Sequence, residues 1–439
     1  MRDPHGRLRF EGERAIRELS ASVATPDFLT HPVAQQLADA GSFVPFAFSP
    51  GIAGRIESPR YGFISLPTEW TDAQLRAAAD LTLTIAEAVL AHGFELKDAS
   101  AWNVIFDGTV PRFCDHLSVE PIASRQWWAF GQFCRHFTFP LACARWRGLH
   151  ARDAFQLRRD GLDAGQARAL LGLRGRLSRL APLLLRQVAP ADSNTAAAMQ
   201  APKGGATLHR SLIEYARRSL LWPPATSTGG SAWSGYVGER THYTTHAVHA
   251  KIDHVRQWLQ HASPGTVLDL GCNTGEFSRL ALETAQRVIA IDADHDCVQR
   301  LFLSAPGETR LHPLVTDLGD LRGGRGWAAA EFAGLADRLT GQVDLMLMLA
   351  LVHHLHVAEG IPMSDIAAFA ARLTTRDLIV ELIGPEDPMV RQLADQRRRP
   401  LDGFNIDQQI QAFEAHFETV RRVPLPETQR HLFWMRLRT

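Results

Sequence analysis

Residues 267–278 read Val-Leu-Asp-Leu-Gly-Cys-Asn-Thr-Gly-Glu-Phe-Ser, a short apolar strand that runs into a tight glycine turn and then into a helix start. An acid follows one strand later at Asp292, after Arg-Val-Ile-Ala-Ile. Such a chain is committed to an α/β unit with a ligand at the turn. Glycine at a strand's carboxyl end lets backbone approach a nucleoside, and the later acid can accept both ribose hydroxyls. Gly271 and Gly275 frame the turn, but Asn273 stands where a dinucleotide-binding G-x-G-x-x-G places the glycine that admits a pyrophosphate. A nucleoside ligand without a pyrophosphate fits better.

Downstream, strand-like and helix-like patterns alternate. Val267–Leu270, Arg287–Ile291, Leu311–Val315, Val343–Leu349 and Asp377–Leu382 read as strands, with helical stretches such as Phe277–Thr284 and Ile366–Leu373 between them. This alternation predicts βαβ units and a parallel, doubly wound sheet. A helix around Asp407–Phe417 and two further strands, Thr419–Val423 and His431–Leu437, complete the pattern. Ligands of open α/β sheets sit at the carboxyl ends of the strands, and Asp269, Asp292, Asp317, His353 and Glu381 fall at or just beyond such ends. Asp269 lies where a carboxylate can receive an ammonium group, as in the methionine part of S-adenosylmethionine (SAM).

On these residues, and above all on the Asp-Leu-Gly-Cys-Asn-Thr-Gly string, the region 231–439 resembles the class I SAM-dependent methyltransferases. The resemblance implies a Rossmann-like seven-stranded sheet closed by an antiparallel hairpin, with SAM as cofactor. It makes Asp269, Gly271, Asn273, Gly275, Asp292 and Asp317 cofactor-binding candidates, with Asp317 placed to bond the adenine amino group. Trp233-Ser-Gly-Tyr236, Tyr243 and Lys251 precede the first strand. Aromatics and a lysine there commonly cover the methionine end, where Lys251 or Tyr243 can meet its carboxylate.

Methyl transfer is an in-line displacement, so the protein mainly supplies alignment and a way to expose the acceptor's lone pair. Leu349-Ala-Leu-Val-His353-His354-Leu355 offers two imidazoles, and Glu381 a carboxylate. His353 or His354 is a candidate general base, because imidazole titrates near neutral pH. The favoured alternative is that one ring packs under the cofactor and the other caps the next helix.

The first half of the chain carries a different pattern. After a helical run at Leu81–Ala91 come Leu-Lys-Asp98-Ala-Ser-Ala-Trp-Asn103 and then Phe-Cys-Asp115-His-Leu-Ser-Val-Glu. An Asp, an Asn five residues on, and another Asp on the next strand resemble the catalytic loop and metal-binding Asp of kinases, with Asp98 as base and Asn103 and Asp115 as Mg²⁺ ligands. No glycine-rich phosphate loop or V-A-I-K-like lysine precedes them, and Asp115 is followed by His-Leu rather than Phe-Gly. The resemblance is therefore to a degenerate kinase C-lobe, an α+β unit without phosphotransfer or resident metal. Together with Gln-Phe-Cys-Arg-His-Phe (132–137) and Glu-Asp-Pro-Met-Val (386–390), the two halves resemble bacterial two-part methyltransferases related to the nodulation host-specificity methyltransferase.

Length and composition agree with two domains. The chain has 439 residues, 45% of them apolar, enough for two cores. The expected division is an N-terminal domain over 1–190, a linker over 191–230 rich in Ala, Pro, Gly and Ser with a helical segment near Leu208–Leu221, and the catalytic domain over 231–439. Charge balances at 47 Lys plus Arg against 47 Asp plus Glu, which argues against nucleic acid as a partner. Cys114, Cys134, Cys143, Cys272 and Cys297 are scattered, without a C-x-x-C pair. No stretch of about eighteen apolar residues occurs and the first residues lack a signal-peptide apolar core, so a soluble cytoplasmic protein is expected. The reading is a methyltransferase for a small-molecule acceptor such as a saccharide or secondary metabolite. Its rivals are a phosphotransferase using Asp98, Asn103 and Asp115, and a SAM-binding scaffold without turnover.

Overall fold

The computed structural model describes residues 6–20, 26–52, 54–123, 126–185, 205–220 and 245–438. The chain divides into two compact units, Met1–Thr226 and Ser227–Thr439. Trp233, Tyr236 and Tyr243 lie outside the described residues.

The first unit begins with an antiparallel sheet of β1 (Gly6–Glu11), β2 (Arg14–Leu19), β3 (Ala47–Phe48) and β4 (Arg55–Pro59), in the order β1-β2-β4-β3. The helix Asp72–Leu90 follows, capped by Thr71 and Gln74 in a reciprocal box that satisfies its first amides. Short strands β5 (Phe94–Leu96), β6 (Val104–Asp107), β7 (Val110–Phe113) and β8 (Val119–Pro121) pair as β5-β8 and β6-β7. The unit ends in helices, among them Phe139–Arg147, Ala164–Arg176 and Gly205–Ser219.

The second unit is a seven-stranded sheet in the order β11-β10-β9-β12-β13-β15-β14. Its strands are β9 (Thr266–Leu270), β10 (Arg287–Asp292), β11 (Leu311–Val315), β12 (Val343–Met348), β13 (Thr374–Ile383), β14 (Phe417–Pro424) and β15 (Arg430–Leu437). The first five are parallel, and β15 inserts antiparallel between β13 and β14. The central strands are buried on both faces, which is why they read as continuous apolar runs rather than alternating ones. One core layer joins Val255, Trp258 and Leu259 of the Thr245–Ala262 helix to Val267, Leu345, Ile379 and Trp434 of the sheet. The chain leaves β9 for β10 and β11 on one side, then returns for β12 on the other. That reversal opens a crevice above the carboxyl ends of β9 and β12, where such folds bind ligands. Among the described residues no helix is long and apolar enough to cross a membrane.

Candidate active site

A cavity of about 530 Å³ occupies that crevice. Its floor carries Asp269 on β9, Asp292 at the end of β10 and Asp317 just after β11. Gly271, Asn273, Lys251 and His354 also line it.

The turn is held by its own backbone and by Asp292. The amides of Gly271 and Cys272 donate to Ile291 O at 2.8 and 3.0 Å. Asp292 accepts from the amide of Asn273 at 2.7 Å through Oδ2 and from that of Asp294 at 2.9 Å through Oδ1. Each oxygen keeps a further lone pair for a ligand hydroxyl. Burial holds the Asp292 carboxyl above its ordinary range, opposed by those amide hydrogen bonds. Gly271 has φ +76°, and a Cβ there would lie 3.3 Å from Leu351 Cδ1 on the cavity wall. A branched side chain would meet both backbone strain and that wall.

Asn273 also adopts a left-handed conformation, φ +48°, which asparagine tolerates better than most residues. Its Oδ1 accepts from the Thr274 amide, so its contribution to the turn is a backbone clip to Asp292 and a local side-chain cap. Gly275 does something else. It has φ +82° and caps the Glu276–Ala281 helix, and a Cβ would sit 2.3 Å from Leu301 Cδ1. Gly275 is absent from the cavity lining, and its missing side chain makes room for helix packing rather than for a cofactor. This corrects the sequence reading, since a glycine at a turn does not disclose which neighbour comes close.

Asp269 is almost fully buried, and Ser278 Oγ donates to it at 2.6 Å. Burial pushes its carboxyl up to about 6, against the Ser278 hydrogen bond, with Asp292 adding to the rise and Lys251 opposing it. Lys251 Nζ lies 5.0 Å from the centroid of the Phe277 ring, which lines the same cavity. Its direct ionic partner is Glu381, at 2.5 Å. Asp317 is exposed, and its Oδ1 accepts from the Gly319 amide at 2.8 Å, so it serves as a cap while facing the cavity.

The three catalytic candidates separate. Glu381 lies within β13, fully buried and absent from the cavity lining, between Lys251 and Arg430 Nη1 at 3.3 Å. Arg430 continues to Asp387, with Nε donating at 2.8 Å. Glu381 therefore does not face the mouth as its position near a strand end suggests. Two cations from β15 and the Thr245–Ala262 helix hold it inside. His353 is buried and also absent from the lining. His354 lines the cavity, its ring 4.2 Å from that of His353. Burial, reinforced by the positive charge of Arg430, lowers His354 to about 4, so it is neutral at physiological pH and a weak base.

Residues 241–395, which hold all of this geometry except Arg430, match a family described as a methyltransferase domain. The whole chain is 29% identical to the nodulation protein NoeA of Rhizobium meliloti (strain 1021), over 98% of this chain and 94% of that protein. The chain carries a methyltransferase domain. Solved structures similar to it include the N-methyltransferase NodS from Bradyrhizobium japonicum WM9 with S-adenosyl-L-homocysteine, 14% identical over 47% of this chain and all of that one, TM-score 0.33. Magnesium protoporphyrin IX methyltransferase from Synechocystis PCC 6803 with bound S-adenosylmethionine is 18% identical over 44% of this chain and 80% of that one, TM-score 0.28.

The methyltransferase also brings together the Asp98, Asn103 and Asp115 set of its first unit. Asn103 Nδ2 donates to Asp98 O at 3.4 Å and Ser118 Oγ at 3.3 Å, and Ser118 Oγ donates to Asp115. Arg17 of β2 pairs with Asp115 at 3.0 Å, with only 7% of its side chain exposed. The strings around these residues have local purposes. Gln132 Oε1 accepts from the Ala99 amide, His136 Nδ1 from the Ala101 amide, and Trp102 Nε1 donates to Arg159 O. They clamp one loop.

Sequence reasoning missed Arg17, Ser278, Phe277 and Arg430. Arg430 left a trace as a cation at the head of the apolar run His-Leu-Phe-Trp-Met. Asp387 in the Glu-Asp-Pro-Met-Val string was its partner, capping the Pro388–Arg397 helix through the Met389 and Val390 amides.

Proposed function

We propose that the methyltransferase acts on a small-molecule acceptor entering beside His354, and that its first unit is a degenerate kinase-like scaffold that shapes or recruits this acceptor. The observation carrying the cofactor assignment is the joint placement of Asp269, Asp292 and Asp317 on one cavity floor. These acids fit a molecule with an ammonium, a ribose and an adenine at successive positions. SAM supplies a methyl group on a positively charged sulfur. Asp292 accepts the ribose hydroxyls, Asp317 the adenine amino group, Asp269 the ammonium, while Lys251 faces the carboxylate end. Gly271 leaves the space, and Leu349, Leu351 and Leu355 exclude water from the displacement.

His354 in this reading hydrogen-bonds and orients the acceptor. His353 supports its ring from below, and Glu381 positions Lys251. For the first unit, the buried Arg17 guanidinium already neutralises the carboxylate that a kinase would offer to Mg²⁺, which supports a scaffold rather than a phosphotransferase. Saccharides and secondary metabolites both suit a pocket of this kind.

Calorimetry with S-adenosylhomocysteine (SAH) tests the cofactor site. Gly271→Val is expected to abolish binding in a protein that keeps its helical signal. Unchanged SAH affinity in that variant would overturn the assignment of the cavity.

A further inference from the structure

We propose that the acceptor carries an anionic group, a phosphate or a carboxylate, received by Arg397 and Arg399 at the rim of the cavity. The proposal rests on the cavity being the site of methyl transfer, and names what its second substrate must contain.

Three arginines, Arg397, Arg398 and Arg399, follow one another at the carboxyl end of the Pro388–Arg397 helix. Arg397 lines the cavity together with Gln396 and Leu393. Arg398 takes a left-handed conformation, φ +51°, which ends the helix and turns the chain back so that the Arg399 amide donates to Ala394 O at 2.9 Å. The Arg399 guanidinium then lies on Gly360, where φ is +74° and an added Cβ would come within 2.0 Å of Nη1. The residue before that glycine, Glu359, lines the cavity. The segment just after the helix thus meets the rim at Gly360, and His356 stacks on Phe404 at 5.6 Å.

Among the described residues none of the three arginines has a hydrogen-bonding or ionic side-chain partner. Several other arginines of this unit are paired. Arg391 pairs with Glu386, Arg372 with Asp337, Arg436 with Asp377, and Arg430 with Asp387 and Glu381. A basic side chain at a helix carboxyl end complements the helix dipole, which accounts for one of them but not for a cation on the wall of a ligand cavity.

The cavity is therefore polarised. Its floor is acidic, with Asp269, Asp292 and Asp317, and Glu359 extends the acid wall next to Asp317, both carboxylates lying near Gly319. Its rim beside Leu393 is basic. An acceptor with a negative group at one end would be repelled from the floor and held at the rim, leaving its nucleophilic end to face the cofactor. Arg397 and Arg399 offer planar forks suited to phosphate or carboxylate oxygens. The Pro388–Arg397 helix that presents Arg397 is fixed at its other end by the buried Arg430–Asp387 pair, so that guanidinium is carried on a rigid element.

The full-length chain, first loaded with SAH, is titrated with inorganic pyrophosphate in one arm and malonate in the other, at low ionic strength. Saturable binding of at least one probe is expected, and which one binds tells phosphate from carboxylate. Arg397→Gln should weaken that binding about tenfold, and the Arg397→Gln, Arg399→Gln double variant should abolish it, with SAH affinity unchanged in both. Arg391→Gln, away from the cavity lining, should leave probe binding as in the wild type. No binding of either probe to the SAH-loaded protein, or equal losses in the Arg391 and Arg397 variants, would overturn the proposal. Failure of SAH itself to bind would instead break the reading of the cavity on which it rests.

Discussion

Each unit of this chain gathers three polar residues at the ends of strands and loops, and the two sets end differently. In the first unit Asp115 meets Arg17 and Ser118, and Asn103 is occupied by Asp98 O and Ser118, so the chain itself satisfies these two, while burial and then Asp115 hold the Asp98 carboxyl above its ordinary range. In the second, Asp269 and Asp292 are buried acids whose carboxyls sit above their ordinary range, beside a cavity, with amide and hydroxyl donors but no guanidinium against them. The difference teaches how to tell acids available to a ligand from acids spent on structure. Buried acids already neutralised by a built-in cation contribute to structure, whereas acids left under-compensated beside open space await a cationic or hydroxylated ligand.

The comparison breaks most visibly through stability. Asp115→Ala removes the carboxylate paired with the buried Arg17 guanidinium, an expected cost of about 3–5 kcal/mol. In a unit of this size that lowers the thermal midpoint by on the order of 10 °C. Adding Arg17→Met should restore much of the loss, because the buried guanidinium goes with the carboxylate that balanced it. Mg-ATP at millimolar concentration should shift neither melt. A melt raised by Mg-ATP in the wild type, or phosphotransfer lost in Asp98→Asn, would support a phosphotransferase instead.

A smaller effect is expected in the second unit, and it should appear in binding. Asp292→Ala leaves two ribose hydroxyls without their acceptor and should weaken SAH by about 1–3 kcal/mol in calorimetry. If the loss appeared only in the melting temperature, Asp292 would be a turn clip like Asp115 and the contrast would disappear.

The smallest expected effect is a dependence on pH. Asp269 titrates near 6 rather than at its ordinary value of 3.8. It can offer charge to an ammonium only when ionised, so SAH affinity should rise severalfold from pH 5 to pH 7 and level off above. Asp269→Asn should flatten that part of the profile. In the ligand-free protein the shift acts in the opposite sense. A raised folded-state pKa contributes stability below the unfolded value, and this is lost as pH rises through about 6. The Asn variant should lack that decline in urea titrations.

Local periodicity made the parallel sheet legible, because strands buried on both faces must be apolar along their length and are bounded by turns. Leu311–Val315 is a strand with the expected bounds, and Asp292 ends its strand as the Arg-Val-Ile-Ala-Ile run implied. Gly271 and Asp292 could be read as cavity residues because the strand-turn-helix unit fixes their position by itself. Gly275 and Glu381 could not. Their roles depend on Leu301 in one case, and on Lys251 and Arg430 in the other, which are neighbours in space but far apart along the chain.

By itself, then, the sequence determined the order of elements and the acids that the strands carry to one edge, since those follow from hydrophobic spacing and from the few conformations open to glycine. Only the tertiary structure decided which charges remain available. Arg17 silences Asp115 across 98 positions, and Arg430 draws Glu381 and Asp387 into the interior, while Arg397 on the cavity wall has no ionic partner among the described residues. The reason is physical. Charge compensation acts over a few ångströms and takes no account of distance along the chain, so it is set when the elements pack.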